Sequence, residues 1–474
     1  MLYKKTKIIA TLGPSSQDRE IIRDLIVNGV DIFRFNMKHA DIKWHEDAIG
    51  IVQEVADDLK TLVGIMIDLQ GPELRIKVIN DIEANIGDEI EFVLDPGSTC
   101  DVIGVKNKAF FDGMIEGDEF SIDDGSVGFI VTKTSSNSFF AKAKDWGVIK
   151  NNKGLNLVGK NLDVPSLVDD DIAKLHLVTK KKVDFVALSF VRSKKDITHL
   201  RKVMGKMQID AGIVSKVESK MGLDNIDEII EESDAVMVAR GDLGIEVPFE
   251  QLAYYQKDII KRCRIAKTPV IVATQMLETM MTKPVPSRAE ATDVANAIFD
   301  GTDAIMLSGE SAMGKFPVRA VKAMANIAKF NEQVAKISDV EMDMSNDAQL
   351  IINAAGSLAN VSTSLKNNQF KIDYIVAVTE SGSTARSIAS YRPYAPIIAL
   401  TPHEKTAEKL KMSYGVIPVV IDFPLKGELI HPYEILSQLK DNQFVKKDQL
   451  ILVIYGQQKD VPGKTNSIVL LRVV

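Results

Sequence analysis

Short β-branched, apolar runs recur along the first two thirds of the chain: KIIATL (7–12), DIFRF (31–35), VGIMIDL (63–69), DFVALSF (184–190), IVSKV (213–217), AVMVA (235–239), PVIVATQ (269–275) and AIMLS (304–308). Each has the length and composition of a buried strand. Between most of them lie amphipathic helical stretches, such as Ile21, Ile22, Leu25 and Ile26 with Gly29 as a C-terminal stop. The alternation predicts βα units around a parallel sheet. Strand starts fall about 22 to 35 residues apart, except between the third and fourth, where about 95 residues are inserted.

Without the insertion (70–164) and everything after 333, roughly 240 residues remain for eight strands and their helices, close to the ~250 of a (β/α)8 TIM barrel. The expected fold is therefore α/β, with a barrel over 1–69 and 165–333. An open doubly wound sheet has the same periodicity, and pattern alone does not separate the two. In the insertion, turn signals at Asp95-Pro96-Gly97, Glu116-Gly117-Asp118, Asp123-Asp124-Gly125 and Ser135-Ser136-Asn137 punctuate short alternating runs such as Glu89 to Leu94 and Phe139 to Ala143. They predict a small all-β domain over 70–164. Leaving the barrel at the end where barrel active sites sit, it is placed to act as a lid. Residues 334–474 return to βα alternation, with strands expected at YIVAV (374–378), PIIAL (396–400), VIPVVI (416–421) and QLILVIY (449–455), and read as a separate α/β domain.

Composition narrows the chemistry. The 474 residues carry a net charge of −7, with 45% hydrophobic, 26% charged and 6% aromatic residues. Without a basic stripe or stacking platform, no nucleic-acid partner is expected. No apolar run reaches the ~18 residues of a membrane span, and the opening MLYKKTKIIATLGPSS is broken by Gly13 and Pro14 too soon for a signal peptide, so the expected setting is the cytoplasm. Cys100 and Cys263 form no CxxC pattern, and the six histidines show no HExxH pairing. A metal would thus use oxygen ligands, which favours magnesium or potassium over zinc. GKT at 463–465 lacks the first glycine of a P-loop, because position 458 is Gln458, and the GESAMG run at 309–314 is one residue too long for a nucleophile elbow.

In a barrel, polar residues at the C-terminal strand ends converge on one mouth. Here they are Arg34 and Asn36, Asp68, Ser189, Lys216 and Glu218, Arg240 and Asp242, Thr274 and Gln275, and Ser308 with Glu310. Lys216 and Glu218 share a strand face, and Asp242 enters from the next strand. Two carboxylates suit magnesium, which completes its octahedron with water and substrate oxygens. Arg34 and Lys216 suit a phosphoryl group. The bland alternatives are a solvated rim for Lys216 or Glu218, a carboxylate partner for Arg240 and a plain strand-to-helix turn for Arg240-Gly241-Asp242-Leu243-Gly244.

These residues, in this order, resemble the pyruvate kinase family. The segments are TKIIATLGPSS, GPELR, IDDGS, SKVES, MVARGDLGIEVP, VATQMLETM, SRAEATDVANAIFDGTDAIMLSGESA and TESGSTARSIASYRP, and they span nearly the whole chain. The resemblance implies phosphoryl transfer from phosphoenolpyruvate to ADP. By motif, Lys216 would stabilise the phosphoryl group, Glu218 and Asp242 would hold magnesium or manganese, and Arg34 would grip the phosphate. Gly241 and Thr274 would contact the substrate, with Thr274 near the face where the enolate is protonated. Asn36 to His39, Arg75 and the Thr11 to Pro14 loop would meet the nucleotide. The family's potassium site maps to Asn36, Asp68 and the Leu69 carbonyl, with Lys38 in place of a serine. A lysine ammonium near Asp68 would replace the free ion, whereas Glu73 is the residue that accompanies potassium dependence. Gln70 and Asp170 also replace the family's usual lysines near the nucleotide. Thr379, Ser381, Gly382, Ser383 and Thr384 resemble the loop for a phosphorylated effector, and the family's usual assembly is a homotetramer. Two rivals remain: a metal-dependent lyase that stabilises pyruvate enolate, and a barrel that only senses phosphorylated metabolites.

Overall fold

The eight apolar runs become eight parallel strands that close on themselves. The computed structural model of the chain describes residues 4–72, 74–94, 102–123, 125–157, 165–335, 337, 346–364, 370–421, 431–456 and 465–474. The barrel strands are β1 (Lys7–Thr11), β2 (Ile32–Asn36), β3 (Gly64–Asp68), β4 (Phe185–Leu188), β5 (Gly212–Val217), β6 (Ala235–Ala239), β7 (Val270–Ala273) and β8 (Ala304–Leu307). Each pairs with its neighbours in sequence, and β1 pairs with β8 as well as β2, which excludes the open sheet.

Nearly every strand residue is buried because both faces are covered. One set packs outward against the helices, as Ile8, Phe33, Ile67, Val186 and Val238 do. The alternate set fills the interior with Ile9, Ile32, Met66, Val214, Met237, Ile271 and Met306. Met412, from the C-terminal part of the chain, joins that interior layer. Helix stops follow local chemistry: Gly29 and Gly301 end the helices before β2 and β8 with φ of 116° and 86°. Only glycine adopts those angles without strain.

The inserted segment forms a seven-stranded mixed sheet, from Leu155–Leu157 at one edge to Ile76–Lys77 at the other, with a separate pair, Ile82–Ala84 and Gly147–Ile149. Its core is aromatic, with Phe92 stacked on Phe139 at 5.0 Å and Phe120 on Phe129 at 5.3 Å. One short helix, Lys108–Gly113, capped by Asn107, adds Phe110 and Phe111 to this core where only strands were expected. The Asp95-Pro96-Gly97 turn, Asp124 and Glu73 lie outside the described residues.

Beyond the barrel, β9 (Tyr374–Val378), β10 (Ile397–Thr401), β11 (Val416–Val420) and β12 (Leu450–Tyr455) are the four expected strands. A fifth, β13 (Ser467–Arg472), adds antiparallel to β12, giving the order β11-β10-β9-β12-β13. Ion pairs tie this sheet to the barrel base: Arg392 to Asp303 at 2.6 Å and Lys411 to Asp184 at 3.1 Å. No helix among the described residues is long and apolar enough to cross a membrane.

Candidate active site

At the C-terminal ends of β2 to β6, five charged side chains meet. Lys216 is the next-to-last residue of β5, and strand alternation turns it into the mouth. Its Nζ lies 2.9 Å from Glu218 Oε1 and 3.3 Å from Asp68 Oδ1, and donates to Ser189 Oγ at 2.7 Å. Burial opposes a charged ammonium, but Asp68 and Glu218 outweigh it and hold the Lys216 pKa above the ordinary lysine value. Asp68, the last residue of β3, accepts from Arg34 Nε on Oδ2 at 2.7 Å. Burial would raise its pKa, yet Lys216 and Arg34 together lower it. Arg34 is fixed from its other side by Thr11 Oγ1 at 2.9 Å, whose hydroxyl donates to the Leu307 carbonyl. Two fixed cations, Arg34 and Lys216, therefore flank Asp68 at the mouth.

Glu218 accepts the Phe190 N–H on Oε2 at 2.7 Å. Burial pushes its pKa up to about 7, against Lys216 and with the help of Asp242. Glu246, in the same helix as Asp242, is likewise raised to about 7, mainly by burial with a smaller push from Asp242. The buried Glu218 carboxylate and the half-buried Asp242 that raises it further are a donor set that a divalent cation would relieve. No group of three or more His, Cys, Asp or Glu side chains arranged to hold a metal occurs among the described residues. An ion held by Glu218 and Asp242 would take its remaining oxygens from water or substrate.

Arg240 turns out to be structural. Its guanidinium pairs with Asp293 at 2.8 Å and donates to the Thr274 carbonyl at 2.7 Å and the Gln275 carbonyl at 3.3 Å. Thr274 and Gln275 both have positive φ, 67° and 52°, a conformation that costs a β-branched residue on the order of 1–3 kcal/mol. The arginine fork holds that strained turn. Thr274 Oγ1 in return accepts the Gly241 N–H at 2.7 Å and donates to the Ala273 carbonyl, so the two expected substrate contacts are one unit. Glu310 is also spent on backbone, accepting from Leu277 and Ser308 N–H groups.

The other expected residues are arranged less tightly. The Thr11 to Pro14 loop runs along the short helix Gly309–Ala312, with Ser15 N–H on the Ala312 carbonyl and Pro14 exposed. Asn36 Oδ1 accepts the Lys38 N–H at 3.2 Å. His39 is exposed, and its carbonyl is 2.8 Å from His45 Nε2. Arg75 lies in the inserted segment, donating to the Asn152 carbonyl at 2.5 Å. The expected ammonium beside Asp68 is not found: Lys38 is exposed, and the cations on Asp68 are Arg34 and Lys216. Asp68 Oδ1 faces the Lys216 ammonium at 3.3 Å, and the Leu69 carbonyl accepts from Ser189 Oγ at 2.7 Å.

Lys174 went unread in the sequence. Its ammonium is 2.5 Å from Asp170 and 3.4 Å from Gln70 Oε1, so the two positions converge on one lysine. The i,i+4 spacing of Asp170 and Lys174 was the available signal. Ser381 and Ser383 are exposed around Gly382, which has φ 83° and precedes the helix Ser383–Ser390. Thr379 and Thr384 are buried, Thr384 against Thr465 at 2.9 Å.

Comparison with known proteins agrees with this architecture. Residues 3–321 match the pyruvate kinase barrel domain, and residues 357–471 the pyruvate kinase alpha/beta domain. The chain is 37% identical to a pyruvate kinase of Clostridium acetobutylicum, over 98% of both chains. It is 36% identical to one of Clostridium perfringens, over 98% of this chain and 99% of that one. A crystal structure of a pyruvate kinase from Cryptosporidium parvum superposes with a TM-score of 0.89 at 31% identity, covering 99% of this chain and 96% of that one. Barrel, inserted sheet, C-terminal sheet and near-full-length identity converge, and the chain belongs to the pyruvate kinase family.

Proposed function

We propose that the barrel mouth transfers the phosphoryl group of phosphoenolpyruvate to ADP. The enol P–O bond breaks, a bond from phosphorus to a terminal ADP oxygen forms, and the enolate carbon takes up a proton, giving pyruvate and ATP. The observation that carries this reading is the Lys216 ammonium, held charged by Asp68 and Glu218 and sharing Asp68 with Arg34, at a barrel mouth to which Gly241 and Thr274 also belong. Lys216 stabilises the negative charge spread over the transferring group, and Arg34 orients the phosphate. Thr274, with its oxygen beside Gly241, sits at the face where the enolate is protonated. Glu218 and Asp242 would hold magnesium or manganese, which would offset phosphate charge. Thr11 to Pro14, Asn36, His39 and Arg75 meet the nucleotide.

On this reading the inserted segment, 70–164, covers the mouth, the exposed Ser381 and Ser383 with their loop take a phosphorylated effector, and the enzyme works in the cytoplasm as a homotetramer. With Lys38 exposed rather than beside Asp68, the stand-in for a potassium ion is not in place; turnover in potassium against sodium decides whether the free ion is needed. The function itself is tested by coupling pyruvate formation to a dehydrogenase. ADP-dependent turnover supports the kinase, product without ADP a lyase, and ligand binding without turnover a sensor.

A further inference from the structure

A second group of cations lies at the opposite end of the barrel. Lys5, on the chain entering β1, Lys329, on the helix Pro317–Val334, and Lys371, on the chain entering β9, line a cavity of about 150 Å³ between the barrel and the C-terminal sheet. The Lys5 and Lys371 ammoniums lie 4.7 and 4.6 Å from the centre of one ring, Tyr394. Lys5 is only 6% exposed. Burial lowers its pKa, Glu332 opposes that, and the Lys371 charge lowers it further.

Like charges gathered in a half-enclosed space normally have counter-charges beside them, and other lysines of this seam do. Lys411 has Asp184 at 3.1 Å, Lys182 has Glu408 at 2.8 Å, and Lys4 has Asp31 at 2.5 Å. None of the three cavity lysines forms an ion pair with a described carboxylate. The two carboxylates lining the cavity are committed to backbone: Glu332 accepts from Thr6 and Lys5 N–H at 2.6 and 2.9 Å, and Asp373 from Leu450 N–H at 2.8 Å. Lys5 spends one of its three N–H groups on the Tyr394 carbonyl at 3.2 Å, leaving donors for a ligand. Point-charge ammoniums arriving from three directions suit a tetrahedral oxyanion, whereas a planar carboxylate is better matched by an arginine fork, and none lines this cavity.

We propose that this cavity binds a compact polyanion, a free phosphate or the phosphoryl group of a small metabolite, held by Lys5 and Lys329 of the barrel and Lys371 of the C-terminal sheet. The site is independent of the phosphotransfer reading. Because its ligands come from both parts of the chain, occupancy joins them and stabilises the fold by linkage.

Isothermal titration of the full-length protein with inorganic phosphate, and separately with β-glycerophosphate, tests it at constant ionic strength. Phosphate binding at the barrel mouth is common to all samples, so differences between variants report this cavity. Lys371→Met and Lys329→Met should each weaken one binding event roughly tenfold, the loss of one charge-assisted hydrogen bond, with circular dichroism unchanged. Lys371→Arg should retain most of it. Lys329 is half-buried on a helix surface, so its variant keeps the test valid if Lys371→Met folds poorly. Tighter binding of β-glycerophosphate points to a phosphorylated metabolite, and equal or tighter binding of phosphate to the free ion. Isotherms identical in wild type and both methionine variants, or no binding in any, would overturn the proposal.

Discussion

At the scale of single residues, the site works by keeping cations charged where burial disfavours them. Lys216 succeeds because Asp68 and Glu218 are within 3.3 Å. Spacing made the meeting of Lys216 with Glu218 legible, since alternation along a strand puts i and i+2 on one face. The roles of Arg240 and Lys174 were not legible, because Asp293 and Thr274, or Asp170 and Gln70, become partners only in the folded chain. Arg240→Lys tests the positioning role. A lysine cannot span Asp293 and two carbonyls at once, so the strained Thr274 turn loosens. We expect kcat to fall on the order of 10²-fold with a small change in KM, as for a reacting group displaced by about 1 Å; an equal rise in KM at constant kcat would contradict positioning.

His45 offers a pH test outside the mouth. It is 2% exposed, and burial lowers its pKa below the usual 6.5; the His39 carbonyl and Asp41 oppose this, while Lys174 and His39 add to it. The unfolded chain therefore binds the proton more readily than the native one. This group's contribution is full above about pH 6.5 and declines as pH falls toward the depressed native value. Urea titrations should show wild-type stability dropping as the pH falls below about 6.5, and less of that drop in His45→Gln. Parallel profiles would rule this source out.

At the scale of elements, the eight barrel strands were legible because fully buried parallel strands are continuous β-branched runs. The short helix Lys108–Gly113 was not, since six residues with adjacent phenylalanines carry too little of the helical period. The antiparallel strand β13 was missed because it runs against β12 and so falls outside the parallel βα rhythm. Packing between elements sets the β1 loop. A Cβ on Gly13 would stand 2.6 Å from the Ala312 carbonyl oxygen, so the loop and the Gly309–Ala312 helix touch there at backbone distance. Gly13→Ala should push them apart and lower kcat/KM for ADP on the order of tenfold or more, while leaving global unfolding nearly unchanged. Unaltered ADP kinetics would show that the loop does not meet the nucleotide.

At the scale of the molecule, the C-terminal sheet is built into the barrel rather than appended. Met412 fills the barrel interior, and Arg392, at the end of the helix that begins at Ser383, donates to the Gly301 carbonyl and pairs with Asp303. Domain count and order were readable from the rhythm of apolar runs. The seam was not, because its partners are some 90 to 400 residues apart in sequence. What the assembled mouth does is followed directly by phosphorus NMR. With phosphoenolpyruvate, ADP and magnesium, the wild-type chain should convert the phosphoenolpyruvate resonance into the γ-phosphate of ATP. Lys216→Met, folded by circular dichroism, should do so on the order of 10²- to 10³-fold more slowly. No ATP from the wild type, or equal rates from both proteins, would rule out phosphoryl transfer by Lys216 at this mouth.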